Sequence, residues 1–202
     1  MRNIKLTIEY DGTNYNGWQS QKNGAGIEDV IKEAIKSLTG EDVDLIASGR
    51  TDAGVHALGQ VANFITNSSI PADKFSFALN TKLPEDIVIV KSEEVDKDFH
   101  ARFSAKSKTY RYLIYNDIHP SALLRKRAYH VFYELNLENV REAASYFIGT
   151  HDFAAFMAKG SNVKTTVRTI TDITINKKEK LIEIEVTGNG FLYNMVRIIA
   201  GT

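Results

Sequence analysis

The run ASGRTDAGVHALGQVANF, residues 47–64, sets one carboxylate, Asp52, between Arg50 and His56, with Gly49 and Gly54 flanking it. A carboxylate kept ionised and shielded from water can attack as a nucleophile or take a proton as a general base. A neighbouring cation would hold it ionised by opposite charge. Arg50 is close in sequence, and Arg197 in NMVRIIAG is a second candidate. The plainer reading is an Asx turn, in which the side chain only serves its own backbone. A third reading pairs Asp52 with His56 on a metal. The five histidines, at 56, 100, 119, 130 and 151, form no His-x-His or His-x-x-x-His cluster, which weighs against that.

Two further stretches could serve the same chemistry. In SKTYRYLIY, residues 107–115, strand alternation puts Tyr110, Tyr112 and Ile114 on one face. Such a stripe is either half-buried sheet or a platform on which bases stack. Just before it, DFHARFSAKSK interleaves Phe99, His100, Ala101, Arg102 and Phe103, the mixture that stacks on bases and meets phosphates. From His100 to His130, Arg102, Lys106, Lys108, Arg111, Arg125, Lys126 and Arg127 face a single acid, Asp117. In VTGNGFLYNMVRIIAGT, Gly188 to Gly190 read as a tight turn, and Phe191, Met195 and Ile198 recur at helical spacing as core. Arg197, set among apolar neighbours, is expected half-buried against an acid.

The elements that must position these residues follow from periodicity. IKLTIEY (4–10) alternates as a strand, and DGTNYNGWQSQKNGAG is a polar loop carrying the lone tryptophan. Residues 27–38 have helical spacing and stop at Gly40. DVDLIAS and QVANFIT read as strands around the Asp52 loop, PADKFSFALNTKLP as a helix, and DIVIVKSEEV as a strand. Residues 1–98 thus run β-α-β-β-α-β, the ferredoxin-like or RRM-like order. Residues 99–202 read as a looser replay: strands TYRYLIYN and RAYHVFYE, an amphipathic LENVREAASYFIG, a hairpin from Thr169 to Gly188, and a final helix. The expectation is an α+β body of two fused halves. Their strands would join in one long, mainly antiparallel sheet, with helices on one face and an open cleft on the other.

Composition sets outer limits. The chain has 202 residues, no cysteine, and Lys+Arg balanced by Asp+Glu at 25 each. The missing cysteines exclude disulfides and thiolate chemistry and suit a reducing cytoplasm. Zero net charge argues against an all-over basic nucleic-acid binder but leaves room for a local patch. The start alternates polar and apolar residues, unlike a signal peptide, and no run nears the ~18 apolar residues of a membrane span.

Taken together, SGRTDAGVHALGQVANF, DFHARFSAKSKTYRYLIYN and GNGFLYNMVRIIAGT resemble, in order, the signature segments of the TruA family of tRNA pseudouridine synthases. IEYDGTNYNGWQSQ and GTHDFAAF extend the resemblance from Ile4 to Gly201. The resemblance implies an isomerase that converts uridine to pseudouridine at positions 38 to 40 of the tRNA anticodon arm, without metal or cofactor, in the cytoplasm. It implies a homodimer with tRNA lying across both subunits. It also implies Asp52 as nucleophile, Tyr110 stacked on the uracil, Arg50 handling the flipped nucleotide, Arg197 paired with Asp52, and residues 99–103 on the RNA. Arg125 and Arg127 are expected to join the RNA surface. Members of the family usually continue for several dozen residues beyond MVRxIxG, so the chain is expected to be truncated at its C-terminus. The reading set against the enzyme is an RNA-binding module made incompetent by that truncation.

Overall fold

A computed structural model describes residues 1–20, 24–160 and 163–202. The segments 21–23 and 161–162, parts of the loops DGTNYNGWQSQKNGAG and MAKGSNVKTTVRTI, lie outside the described residues. The chain divides into two units, Met1–Ala105 and Lys106–Thr202.

In the first unit, strand β1 (Arg2–Tyr10) turns Ile4, Leu6, Ile8 and Tyr10 into the core. Helix α1 (Ile27–Thr39) follows, burying Ile27, Ile31, Ala34 and Ile35. The Asp29 carboxylate accepts the Gly26 N–H at its start, and Glu28 and Asp29 in the first turn suit the helix dipole. The helix stops where Gly40 takes φ +76°, a left-handed conformation that costs glycine little. Strands β2 (Ile46–Ala47) and β3 (Ala57–Thr66) come next, then a 3-10 turn (Ala72–Lys74) running into helix α2 (Phe75–Asn80), and strand β4 (Ile87–Val95). The sheet order β2-β3-β1-β4, antiparallel throughout, is the ferredoxin-like order expected.

Two expectations change here. β2 is only two residues long, although DVDLIAS alternates over seven. Val43 and Leu45 are buried while Asp42 and Asp44 are exposed, yet only Ile46 and Ala47 pair with β3. Alternation here records burial and not ladder pairing. The sheet face away from α1 and α2 is also occupied, by the helical turn α3 (Ala101–Ser104). It is tied down by two buried amides, Asn3 and Asn63. Asn63 Nδ2 donates to Asn3 Oδ1, Asn3 Nδ2 donates to the Asp96 and Phe99 carbonyls, and the Ala101 N–H donates to Asn63 Oδ1.

The second unit holds strands β5 (Lys108–Asn116) and β6 (Tyr129–Val131), helix α4 (Leu137–Ser145), strands β7 (Gly149–Asp152), β8 (Val167–Lys178) and β9 (Leu181–Gly188), and helix α5 (Met195–Gly201). Its sheet runs β6-β5-β9-β8-β7, with β5 and β6 parallel and the other pairs antiparallel. The α+β class stands. Among the described residues the ladders form two sheets, one in each unit, in place of one long sheet.

Candidate active site

Three loops of the first unit meet at one end of its sheet, because β3 and β4 both run antiparallel to β1 and begin where β1 ends. Residues 11–18 leave β1, residues 48–56 enter β3, and Asp86 precedes β4. The loop around Asp52 is therefore braced from a neighbour some forty residues away in sequence. Before Asp52, the Tyr10 hydroxyl and Thr51 Oγ1 share a hydrogen bond of 2.7 Å, and the Thr51 carbonyl accepts the Trp18 N–H at 3.0 Å. After it, the Gly54 N–H donates to the Tyr15 carbonyl at 3.2 Å. Asp52 itself is part-buried and its carbonyl accepts the Val55 N–H at 3.1 Å. Gly54, with φ +73°, meets the positive φ that the third position of a type II turn demands.

The brace is anchored in turn. Asp86 accepts the Asp11 N–H at its carbonyl and the Tyr15 hydroxyl, at 2.6 Å, on its carboxylate. Burial, then the hydrogen bond and negative charge of Asp86, push the Tyr15 phenol well above its ordinary range, so it stays a donor. Trp18 is buried against Tyr10, ring centroids 6.1 Å apart. His56 Nδ1 lies 3.0 Å from an Asp11 carboxylate oxygen and 3.2 Å from the Gly12 nitrogen. Among the described residues no group of three or more His, Asp or Glu could hold a metal.

Arg50 is exposed and lies within electrostatic reach of Glu28. Burial raises the Glu28 carboxyl, and Lys32 and then Arg50 are among the charges acting against that rise. Phe99 and His100 are part-buried, Ala101 is buried, and Arg102 and Phe103 are exposed. His100 stacks on Phe103 at 4.3 Å, Arg102 lies over the Phe103 ring at 5.9 Å, and Lys5 lies over Phe99 at 5.8 Å.

In the second unit, the stripe Tyr110, Tyr112, Ile114 faces the same way as Val186, Ile184 and Ile182 of β9, into the core. Tyr110 meets the Phe191 ring edge-on at 5.0 Å. Arg197 departs from expectation: it is exposed and not half-buried. Met195, Val196 and Ile199 form the inward side of α5, and a residue between them at 100° per step falls on the outer side. Its charge reaches Tyr112, whose phenol is raised by burial and lowered in part by Arg197. Arg125 and Arg127 are exposed, with Arg125 donating to the Ala122 carbonyl. Arg111, counted in the basic run, is committed to Glu185 at 2.8 Å and Glu183 at 3.6 Å across the sheet.

The sequence model of the tRNA pseudouridine synthase family matches residues 6–104 and 143–202. The chain belongs to the tRNA pseudouridine synthase family. The family's tRNA pseudouridine synthase A of Acetivibrio thermocellus is 65% identical over 202 residues, all of this chain and 83% of that protein. The proteins of the same name from Ruminiclostridium cellulolyticum and Thermoanaerobacter sp. are 60% and 55% identical, again over all of this chain and 83% of theirs. A solved chain of a Cbf5-Nop10-Gar1 complex aligns with all of this chain and 54% of its own length at 14% identity, with a TM-score of 0.40.

The run of residues 11–26 reads in sequence as a polar, glycine-rich loop, and that reading does not foretell the brace that Tyr10, Asp11, Tyr15, Trp18 and Asp86 form around the loop of Asp52. One signal was present: a lone tryptophan beside closely spaced glycines is a poor composition for a free loop and a good one for a packed one.

Proposed function

We propose that this tRNA pseudouridine synthase acts on uridines 38 to 40 of the anticodon arm, with Asp52 as its nucleophile. The carrying observation is the double brace: backbone and side-chain bonds hold Thr51 on one side of Asp52 and Gly54 on the other. A carboxylate that must reach one carbon of a nucleotide gains rate from being held in place before substrate arrives. In the reaction the bond from C1′ to N1 breaks and one from C1′ to C5 forms; the C5 proton leaves and N1 takes up a proton. Asp52 attacks at C1′ or at C6 of the uracil.

A uridine within the stem must leave the stack first, at a cost of a few kcal/mol. Arg50, exposed beside Asp52, takes the vacated space or holds the backbone. Tyr110 stacks on the extruded uracil, and Arg197 supplies the counter-charge for Asp52. Residues 99–103 contact RNA through the exposed Arg102 and Phe103, and Arg125 and Arg127 extend the contact to phosphates. The two halves, 1–98 and 99–202, act as one catalytic body, and two subunits share each tRNA, which lets chains of zero net charge combine local patches. Such a substrate implies a cytoplasmic site of action; no helix among the described residues is long and apolar enough to cross a membrane.

The test is tritium release from tRNA labelled at uridine C5. The unaltered chain is expected to release it, and Asp52→Asn to bind tRNA with unchanged affinity and release none. Normal release by that variant would remove Asp52 from the nucleophile's role.

A further inference from the structure

We infer that His56 is a positioning residue for Asp52, acting as the clasp between the loop that carries the carboxylate and the turn that follows β1. The inference rests on the reading of Asp52 as nucleophile. His56 is four residues beyond Asp52, and its Nδ1 lies between two groups of the same turn, Asp11 Oδ1 at 3.0 Å and the Gly12 nitrogen at 3.2 Å. Carrying a proton, Nδ1 donates to the carboxylate; without one, it accepts from the Gly12 N–H. Either state bonds the same turn.

The two segments are pressed together independently of that bond. A Cβ at Gly12 would stand 2.0 Å from the Val55 carbonyl oxygen, next to His56. The turn is itself fixed from behind, since Asp11 Oδ1 also accepts the Thr13 N–H and the Asp11 N–H donates to Asp86. Thr51 is held on the other side of Asp52 by Tyr10 and Trp18. Without the His56 bond, the loop after Asp52 keeps the Gly54 hydrogen bond to Tyr15 but loses the side-chain tie from His56 to the β1 turn, and the carboxylate is less firmly placed.

The test compares His56→Phe, His56→Asn and His56→Gln. An asparagine amide can occupy the place of Nδ1; a glutamine amide reaches the place of Nε2. The Phe and Gln variants should show the Gly54 amide exchanging its hydrogen roughly tenfold faster. Their kcat should fall about ten- to hundredfold, with KM for tRNA within about twofold of the unaltered protein. The Asn variant should recover both readouts. If the Phe variant does not fold, the contrast between Asn and Gln carries the test. Unchanged exchange in the Phe and Gln variants, or equal impairment of Asn and Gln, or a KM rising in step with the fall in kcat, overturns the inference. Failure of the unaltered protein to form pseudouridine would defeat the proposed function instead, and amide exchange would still decide the clasp.

Discussion

An alanine at position 17 would put its Cβ 2.4 Å from the Thr51 carbonyl oxygen, with the backbone already at φ +93°. The obstacle is backbone one residue before Asp52, not a side chain that could swing aside. Gly17→Ala should therefore cost stability, about 1–3 kcal/mol from the conformation alone, and also activity, by pushing Thr51 and its neighbour out of place. Gly40 is the control. It too has a positive φ, +76°, but nothing lies within 4 Å of where its Cβ would be. Gly40→Ala should lower the melting temperature by a strain of about 1–2 kcal/mol and leave tritium release unchanged at temperatures where the protein is folded. Thermal denaturation and tritium release on the two variants check both expectations, and equal loss of activity in both would count against the brace.

The elements of the first unit are joined by charge as well as by ladders. Glu93 of β4 lies opposite Lys5 of β1 and is bonded by Lys5 at 2.8 Å and Lys91 at 2.7 Å. Those two hydrogen bonds hold its carboxyl down to about 2 from an ordinary 4.5. The pKa is depressed in the fold, so the pair's contribution is fully present above pH 4.5 and is lost as pH falls towards 2. The site is partly open to solvent, which keeps the contribution small. Glu93→Gln should flatten the acid limb of the stability curve in that window and leave its slope at higher pH as it was. Urea denaturation of both proteins across the range is the measurement. An acid limb of the same steepness in the variant would mean that the two lysines stabilise nothing.

At the scale of the molecule, affinity for an RNA depends on where charge is exposed, since the total is zero. Arg111 is held across the sheet by the carboxylates Glu185 and Glu183, and Arg125 and Arg127 stand exposed on a turn. Replacing Arg125 and Arg127 with glutamine should weaken tRNA binding and reduce the slope of log K against log salt by about two, near one for each phosphate no longer neutralised. Replacing Arg111 should change that slope little. Binding titrations at several salt concentrations separate the two; an unchanged slope in the double variant would take Arg125 and Arg127 off the RNA surface.

What the sequence by itself determined was local. β1 alternates because each second residue must leave the water, α1 ends at a glycine that can turn left, and the β8–β9 hairpin closes over a charged tip. The run RTDAGVHA and its companions were enough to reach the family. Tertiary structure decided whatever depends on segments far apart in the chain. Residues 42–45 alternate like a strand and are denied a partner, because pairing needs a neighbour at the right height as well as a buried face. Arg197 reads as half-buried among apolar neighbours and is exposed, because the winding of α5 chooses its side. The turn after β1 and the loop of Asp52 carry no mark of each other in sequence. They meet because two antiparallel strands bring one end of each to the same edge, and only there can Tyr10, Trp18 and His56 hold the residues around one carboxylate.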